Sequence, residues 1–290
     1  MKMKKLALLL LLTASYLQAA ESSTHLTIAG RDVAVWKPSG SAPASGYPLI
    51  LFSHGFSGCN TQSVFLMEAL ARAGYLVVAP NHQDARCGSN HPHGALHPEE
   101  PFRDDSKWSD ATYRDRADDI RVVLDAVLAG KSFQEVRVDR ERIGIAGHSL
   151  GGYTALGVAG AWPSWKDRRI KAVLALSPYC SPYVRSGDPG HMDVPVMYQG
   201  GTRDWGVTPT VRRLNGAYDA SSAPKYYVEF DGAGHFAWTD LNKHYQELID
   251  AYSVAFFDRY LLGKADPDPL APLTANPPPK GVSYLRVQAK

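Results

Sequence analysis

The sequence predicts an α/β fold, a mostly parallel central sheet with helices on both faces and no large cap domain. Three observations carry this. Apolar, β-branched runs alternate with longer amphipathic stretches along the chain, as strands joined by crossover helices do. Several of the strand-like runs are apolar throughout, which fits strands covered on both faces. No internal repeat or domain-sized linker interrupts the alternation. Of 290 residues, 44% are hydrophobic and 21% charged, a globular composition that excludes disorder, collagen and a disulfide-dense mini-protein.

The chain is expected to comprise a signal peptide over 1–20, an α/β domain over 21–262 and a Pro-rich tail over 263–290. The first segment carries Lys2, Lys4 and Lys5, then the apolar run Leu6 to Leu12, then small and polar residues up to Ala19-Ala20. A cationic, apolar and small-residue order is that of an export signal, and the run is far shorter than the ~20 residues a membrane span needs. No Cys follows it to accept a lipid. The remaining elements follow in order. Leu26 to Ile28 and Val33 to Trp36 form a hairpin about Gly30-Arg31-Asp32. Pro48 to Phe52 is a buried strand, Thr61 to Ala73 a helix and Tyr75 to Ala79 a second strand. Residues 82–112 are a long excursion rich in His, Pro, Gly and Asp, of a length usually reserved for function or a lid. A helix over Arg116 to Ala129 keeps Ile120, Val123, Leu124, Val127 and Leu128 at helical spacing. Then come the strand Arg142 to Ala146, a helix from Ser149 to about Ala159, and the strand Ile170 to Leu176. The strand Val194 to Tyr198, a helix from Pro209 to about Ala217, the strand Lys225 to Phe230 and a helix from Asp240 to Leu262 complete the domain. Pro267 to Pro279 holds six of the twenty prolines and is expected to be extended and solvent-facing; Val282 to Val287 is a candidate edge strand.

The formal charge of +2 belongs to the export signal, because its loss leaves 28 basic against 29 acidic residues. Composition therefore points to no nucleic acid partner and no stable membrane anchor. Export also permits disulfides. Cys59 and Cys87 each sit in a Gly-containing loop directly after a strand, so they are candidates for a bridge worth about 3 kcal/mol on the chain-entropy estimate, with Cys180 left over; three unpaired thiols are the alternative.

The most informative motif is Gly147-His148-Ser149-Leu150-Gly151-Gly152, between a strand and a helix rich in Ala, Leu and Gly. A tight strand-to-helix turn needs flanks without bulk and lifts a serine oxygen above the sheet edge. A serine hydroxyl is a weak nucleophile, so it needs a base, and the base needs an acid to fix its tautomer. Asp204 and His235 both fall on loops after downstream strands, at the edge where ligands meet parallel sheets. Asp231 is better explained as a turn residue. Asp188 and Asp193 precede their strand, and His244 lies in the last helix. The oxyanion of an acyl transfer needs backbone donors; Leu150 supplies one, and Phe56, on the loop Ser53-His54-Gly55-Phe56-Ser57-Gly58, the other, with Ser57 as its near neighbour.

These residues resemble the α/β-hydrolase family over roughly Pro48 to Tyr260. The phrases Ser53-His-Gly-Phe-Ser-Gly58 and Tyr113-Arg-Asp-Arg-Ala-Asp-Asp-Ile120 are similar to exported dienelactone-hydrolase-like members, near platelet-activating-factor acetylhydrolases and bacterial cutinases. The resemblance implies a serine esterase, periplasmic or secreted, acting through Ser149, His235 and Asp204 with no cofactor. Dienelactone hydrolases proper use a Cys nucleophile where this chain has Ser149, which favours general carboxylic esters, small or polymeric. A peptidase or amidase with the same triad, or a silent binding protein on the same fold, are the competing expectations. The former commonly adds a cap or propeller for which this length leaves no room.

The seventeen or so residues between Leu176 and Val194 are too few for a helical cap, so the site is expected to be open there, with the excursion as its other wall. Tyr179, Trp205, Phe236 and Trp238, and Tyr183 beside them, fall on loops at this edge and are expected to bind an apolar acyl chain or aromatic ring. His82, His91, His93 and His97 in the excursion lack the usual zinc spacings, and no metal is expected.

Overall fold

The computed structural model describes residues 23–86, 102, 104–130 and 136–289. The expected signal peptide, Cys87, and His91, His93 and His97 lie outside the described residues. Among the described residues nine strands form one sheet: β1 (Thr24–Ile28), β2 (Arg31–Trp36), β3 (Tyr47–Ser53), β4 (Leu76–Pro80), β5 (Val138–His148), β6 (Ile170–Leu176), β7 (Val196–Gly201), β8 (Lys225–Phe230) and β9 (Val282–Gln288). Their order is β1-β2-β4-β3-β5-β6-β7-β8-β9. The inner strands β4, β3, β5, β6, β7 and β8 pair in parallel, and the marginal pairings β1–β2, β2–β4 and β8–β9 are antiparallel. This is the α/β-hydrolase architecture that the sequence predicts.

The helices are α1 (Val64–Arg72), α2 (Arg114–Leu128), α3 (Leu150–Leu156), α4 (Ser181–Arg185), α5 (Thr208–Arg212), α6 (Ala217–Ala220) and α7 (Gln246–Tyr260). The two-residue period of β3 explains why both faces need cover. Leu49 and Leu51 pack with Ile120 and Val123 of α2 on one face, whereas Ile50 and Phe52 pack with Leu66 of α1 and Phe256 of α7 on the other. Each of these four β3 side chains is fully buried, a burial worth about 1.5–3 kcal/mol apiece.

Several elements differ from expectation. β5 begins at Val138 rather than Arg142, because Tyr47 pairs with Val138 before a bulge resets the register at Ile143. Its polar start, Asp139-Arg-Glu-Arg142, carries no apolar signal. The expected helix from Pro209 ends at Arg212, because Arg213 turns to φ −58° and ψ 157°, and a separate α6 starts at Ala217. The last helix starts at Gln246 rather than Asp240, because the Asp240 carboxylate accepts the Val64 and Phe65 amides and caps α1 instead. In the Pro-rich segment, expected to face solvent, Leu270 and Leu273 are buried against the sheet layer that holds α7. The β6–β7 connection holds the five-residue α4, and no helix among the described residues is long and apolar enough to cross a membrane.

Candidate active site

β5 carries Gly147 and His148 to the sheet edge, and the chain turns into α3 through Ser149 at φ +55° and ψ −117°. This backbone is strained for a residue with a side chain. Glycine flanks make it possible: a Cβ on Gly151 would stand 1.9 Å from the Ser53 carbonyl oxygen, and one on Gly147 2.1 Å from that of Gly151. The Ser149 amide donates to Leu176 O, and Ser149 O accepts the Tyr179 amide, each at 3.0 Å, which fixes the turn to the end of β6.

Three loops then meet. Asp204, buried after β7, has Oδ1 3.1 Å from His235 Nδ1. Its Oδ2 accepts the Thr208 hydroxyl at 3.1 Å and the Ser177 hydroxyl. A carboxylate only accepts, so His235 carries its proton on Nδ1, and Nε2 faces Ser149 Oγ at 2.9 Å with its lone pair free. His148 is fixed by the same logic. Its Nε2–H donates to His235 O at 2.8 Å, so Nδ1 accepts from Gln62 Nε2 at 3.1 Å, and Gln62 Oε1 accepts the Gly55 amide at 2.9 Å. Burial, and then the neighbouring His235, push the His148 pKa down to about 3, so it stays neutral and structural.

The loop after β3 is tied at nearly every amide. Gly55 N–H goes to Gln62, Ser57 N–H to Asp84 Oδ2 at 3.0 Å, and Gly58 N–H to Gly55 O at 3.0 Å. Buried Arg116 donates to Asp84 Oδ1 and to His54 O. Burial raises the Asp84 carboxyl, but Arg116 with His54 and His82 outweighs it and leaves the pKa at about 2. Ser57 is thus engaged, while the Phe56 amide has no acceptor among the described residues. Leu150, first residue of α3, likewise has an amide without an intrahelical acceptor.

A second Ser-His-Asp line was not foreseen from sequence. Ser53 Oγ stands 2.8 Å from His82 Nε2, and His82 Nδ1 stands 3.1 Å from Asp119 Oδ2, with Arg31 closing the far end. All three are fully buried, so no carbonyl substrate reaches Ser53. Burial, and then Arg116, lower the pKa values of both His54 and His82, which are neutral supports of the loop. Ser53 and His82 are visible as neighbours because one ends β3 and the other lies two residues beyond β4, the adjacent parallel strand; Asp119, on α2, is not.

Ser149, Asp204 and His235 open on a cleft of about 980 Å³ whose walls include Phe56, Phe102, Tyr179, Trp205, Phe236 and Leu241. Trp205 and Phe236 are 79% and 60% exposed. Tyr179 turns its hydroxyl to Phe102 O, and burial raises its pKa to about 12. Trp238 corrects the expectation for it. It is fully buried and does not line the cleft, because the tight turn His235–Trp238 sends Phe236 out and Trp238 inward, where Nε1 donates to Gln199 Oε1 at 3.0 Å. Tyr183 is buried too, with its hydroxyl on Tyr153 O at 2.6 Å. Phe102 and Leu241 are cleft residues that sequence reasoning missed. Asp231 faces Thr202, Asp188 caps Gly190, and Asp193 pairs with Lys166, each away from the His235 ring. Among the described residues no group of three or more His, Cys, Asp or Glu side chains stands ready to hold a metal. Cys180 is buried and free; the Cys59–Cys87 pairing involves a residue outside those described.

Residues 105–268 match the family model described as PET hydrolase-like, and residues 15–121 match that of platelet-activating factor acetylhydrolase, isoform II. Cutinase 1 of Thermobifida cellulosilytica is 26% identical over 218 residues, covering 74% of this chain and 69% of the relative. A cutinase of Thermobifida fusca strain YX is 26% identical over 218 residues, 74% of this chain and 60% of its own length. Cutinase est2 of Thermobifida alba is 28% identical over 225 residues, again 74% of this chain and 60% of the relative.

Proposed function

Because the chain belongs to the PET hydrolase-like family of carboxylic ester hydrolases, we propose that it is an exported serine esterase working through an acyl-enzyme on Ser149. The observation that carries this is the hydrogen-bonded line from Asp204 through His235 to Ser149, opening on an apolar cleft. His235 Nε2 takes the Ser149 proton as Oγ attacks the ester carbonyl, and Asp204 holds the resulting imidazolium. The carbonyl oxygen becomes the oxyanion, bound by the Phe56 and Leu150 amides. The tetrahedral intermediate collapses, His235 gives its proton to the departing alkoxide, and the acyl group stays on Ser149. Water then enters, His235 takes its proton, and the second collapse returns the acid and the free serine.

The cleft walls support a substrate class. Exposed Phe56, Trp205, Phe236 and Leu241 fit an apolar acyl chain or an aromatic ring, and the open cleft accommodates a small ester or a polymer segment. The relatives named cutinases support the same reading. Export rests on the Lys-rich, then apolar, then small-residue start, and a Cys59–Cys87 bridge on Cys180 being free. Intact mass of the exported protein tests both: removal of 19 or 20 residues is expected, and a mass two units below the fully reduced chain.

The activity test is an ester panel of rising acyl length with aryl esters and a polyester film, run on the wild type and on Ser149→Ala. Turnover of the wild type with a loss of about 10⁴-fold or more in the variant is expected. Hydrolysis of peptides in preference to esters would move the assignment to an amidase.

A further inference from the structure

Ser177 follows β6 and is fully buried, at φ +43°, with its amide held by Gln199 O at 2.8 Å. Its hydroxyl has one proton and two neighbours, Asp204 Oδ2 and His235 Nδ1, the latter 2.8 Å away. The carboxylate can only accept, so the Ser177 proton goes to Asp204. The oxygen lone pair then faces His235 Nδ1–H. That N–H is therefore forked between Ser177 Oγ at 2.8 Å and Asp204 Oδ1 at 3.1 Å, with the hydroxyl the nearer acceptor. Thr208 also donates to Asp204 Oδ2, at 3.1 Å, but its oxygen accepts the Gly201 amide rather than His235.

We propose that Ser177 is a positioning residue of the proton relay, orienting the His235 ring and stabilising its protonated form. The proposal rests on the reading of Ser149 and His235 given above. A hydroxyl that donates to a carboxylate is a stronger acceptor, because hydrogen bonds in a chain polarise one another. When His235 takes the Ser149 proton, positive charge spreads to Nδ1, where Asp204 and the polarised Ser177 oxygen both receive it. The arrangement also holds the ring against rotation about its side-chain bond. The strained backbone of Ser177 fits this use, since such strain persists where the surroundings demand one placement.

Three variants separate the hydroxyl from the backbone. Ser177→Ala and Ser177→Gly remove the oxygen, and glycine adopts φ +43° without strain. Ser177→Thr keeps the oxygen. With a short aryl ester, kcat is expected to fall about tenfold in Ala and Gly alike, the scale of one hydrogen bond to a charged group. KM should stay within twofold, and the acidic edge of the kcat/KM profile should move to lower pH, because the imidazolium has lost an acceptor. Ser177→Thr should return the edge to its original position. Should Ser177→Ala fold poorly by thermal melting, Ser177→Gly carries the test. A Ser177→Gly enzyme with wild-type kcat and an unmoved edge overturns the proposal and leaves the esterase reading standing. A wild type that neither turns over esters nor reacts with a fluorophosphonate at Ser149 overturns both.

Discussion

Phe236 and Trp238 stand two residues apart in one tight turn, and one faces solvent in the cleft while the other is buried on Gln199. Both were equally good aromatic candidates in the sequence, because loop membership is readable and the pitch of a four-residue turn is not. Ser149, Asp204 and His235 were legible for the opposite reason. Ser149 directly follows β5, and Asp204 and His235 lie three and five residues beyond the ends of β7 and β8; a parallel sheet delivers such positions to one edge. Ser177 was missed because a Ser-Pro pair after a strand reads as a turn, and its use depends on two other loops. The exposed aromatics carry a prediction. Trp205→Ala combined with Phe236→Ala is expected to lower kcat/KM for long-chain or aryl esters about tenfold, with less than a twofold effect on a short alkyl acetate. An equal loss across a chain-length series would mean these rings do not hold the acyl group.

At the level of elements, the loop after β8 serves two masters. It presents His235, and through Asp240 it caps α1, whose neighbour Gln62 ties Gly55 to His148. That capping is why the last helix begins later than its apolar pattern implies, and the distance of 176 residues between Asp240 and Val64 hides it from any local reading. The α1–α7 contact also holds a weakness. Asp250 of α7 keeps Oδ1 buried without a partner, and burial raises its pKa to about 7, with Arg72 lowering it and Glu68 raising it. Because the folded value lies above the unfolded one, ionisation penalises the fold increasingly from about pH 4, and fully above about pH 7. Asp250→Asn is therefore expected to be more stable than the wild type at pH 8, by roughly 1–2 kcal/mol or a few degrees in Tm. The advantage should vanish near pH 4. A Tm difference that is the same at both pH values would show that the carboxylate charge is not the cause.

At the scale of the whole molecule, three buried histidines among the described residues are held neutral: His54, His82 and His148, each with its pKa lowered first by burial. A lowered folded-state value gives stability that is present above about pH 6.5 and lost as pH falls, because the unfolded chain takes up the protons the fold refuses. Asp250 and Asp119, both raised by burial, act in the opposite sense over part of that range. A net uptake of about one to two protons on unfolding is expected, so the unfolding free energy should fall by roughly 1–3 kcal/mol per pH unit between pH 6 and 4. Urea midpoints across that range check it, and a flat profile would mean the histidines are hydrated rather than buried. Among the described residues two Ser-His-Asp lines stand out, one facing a cleft and one sealed in the core, and they differ in accessibility. A fluorophosphonate probe followed by peptide mass spectrometry tests the difference directly. One adduct is expected, on Ser149, abolished in Ser149→Ala together with ester turnover; an adduct on Ser53, or undiminished turnover by Ser149→Ala, would overturn the assignment of Ser149 as the nucleophile.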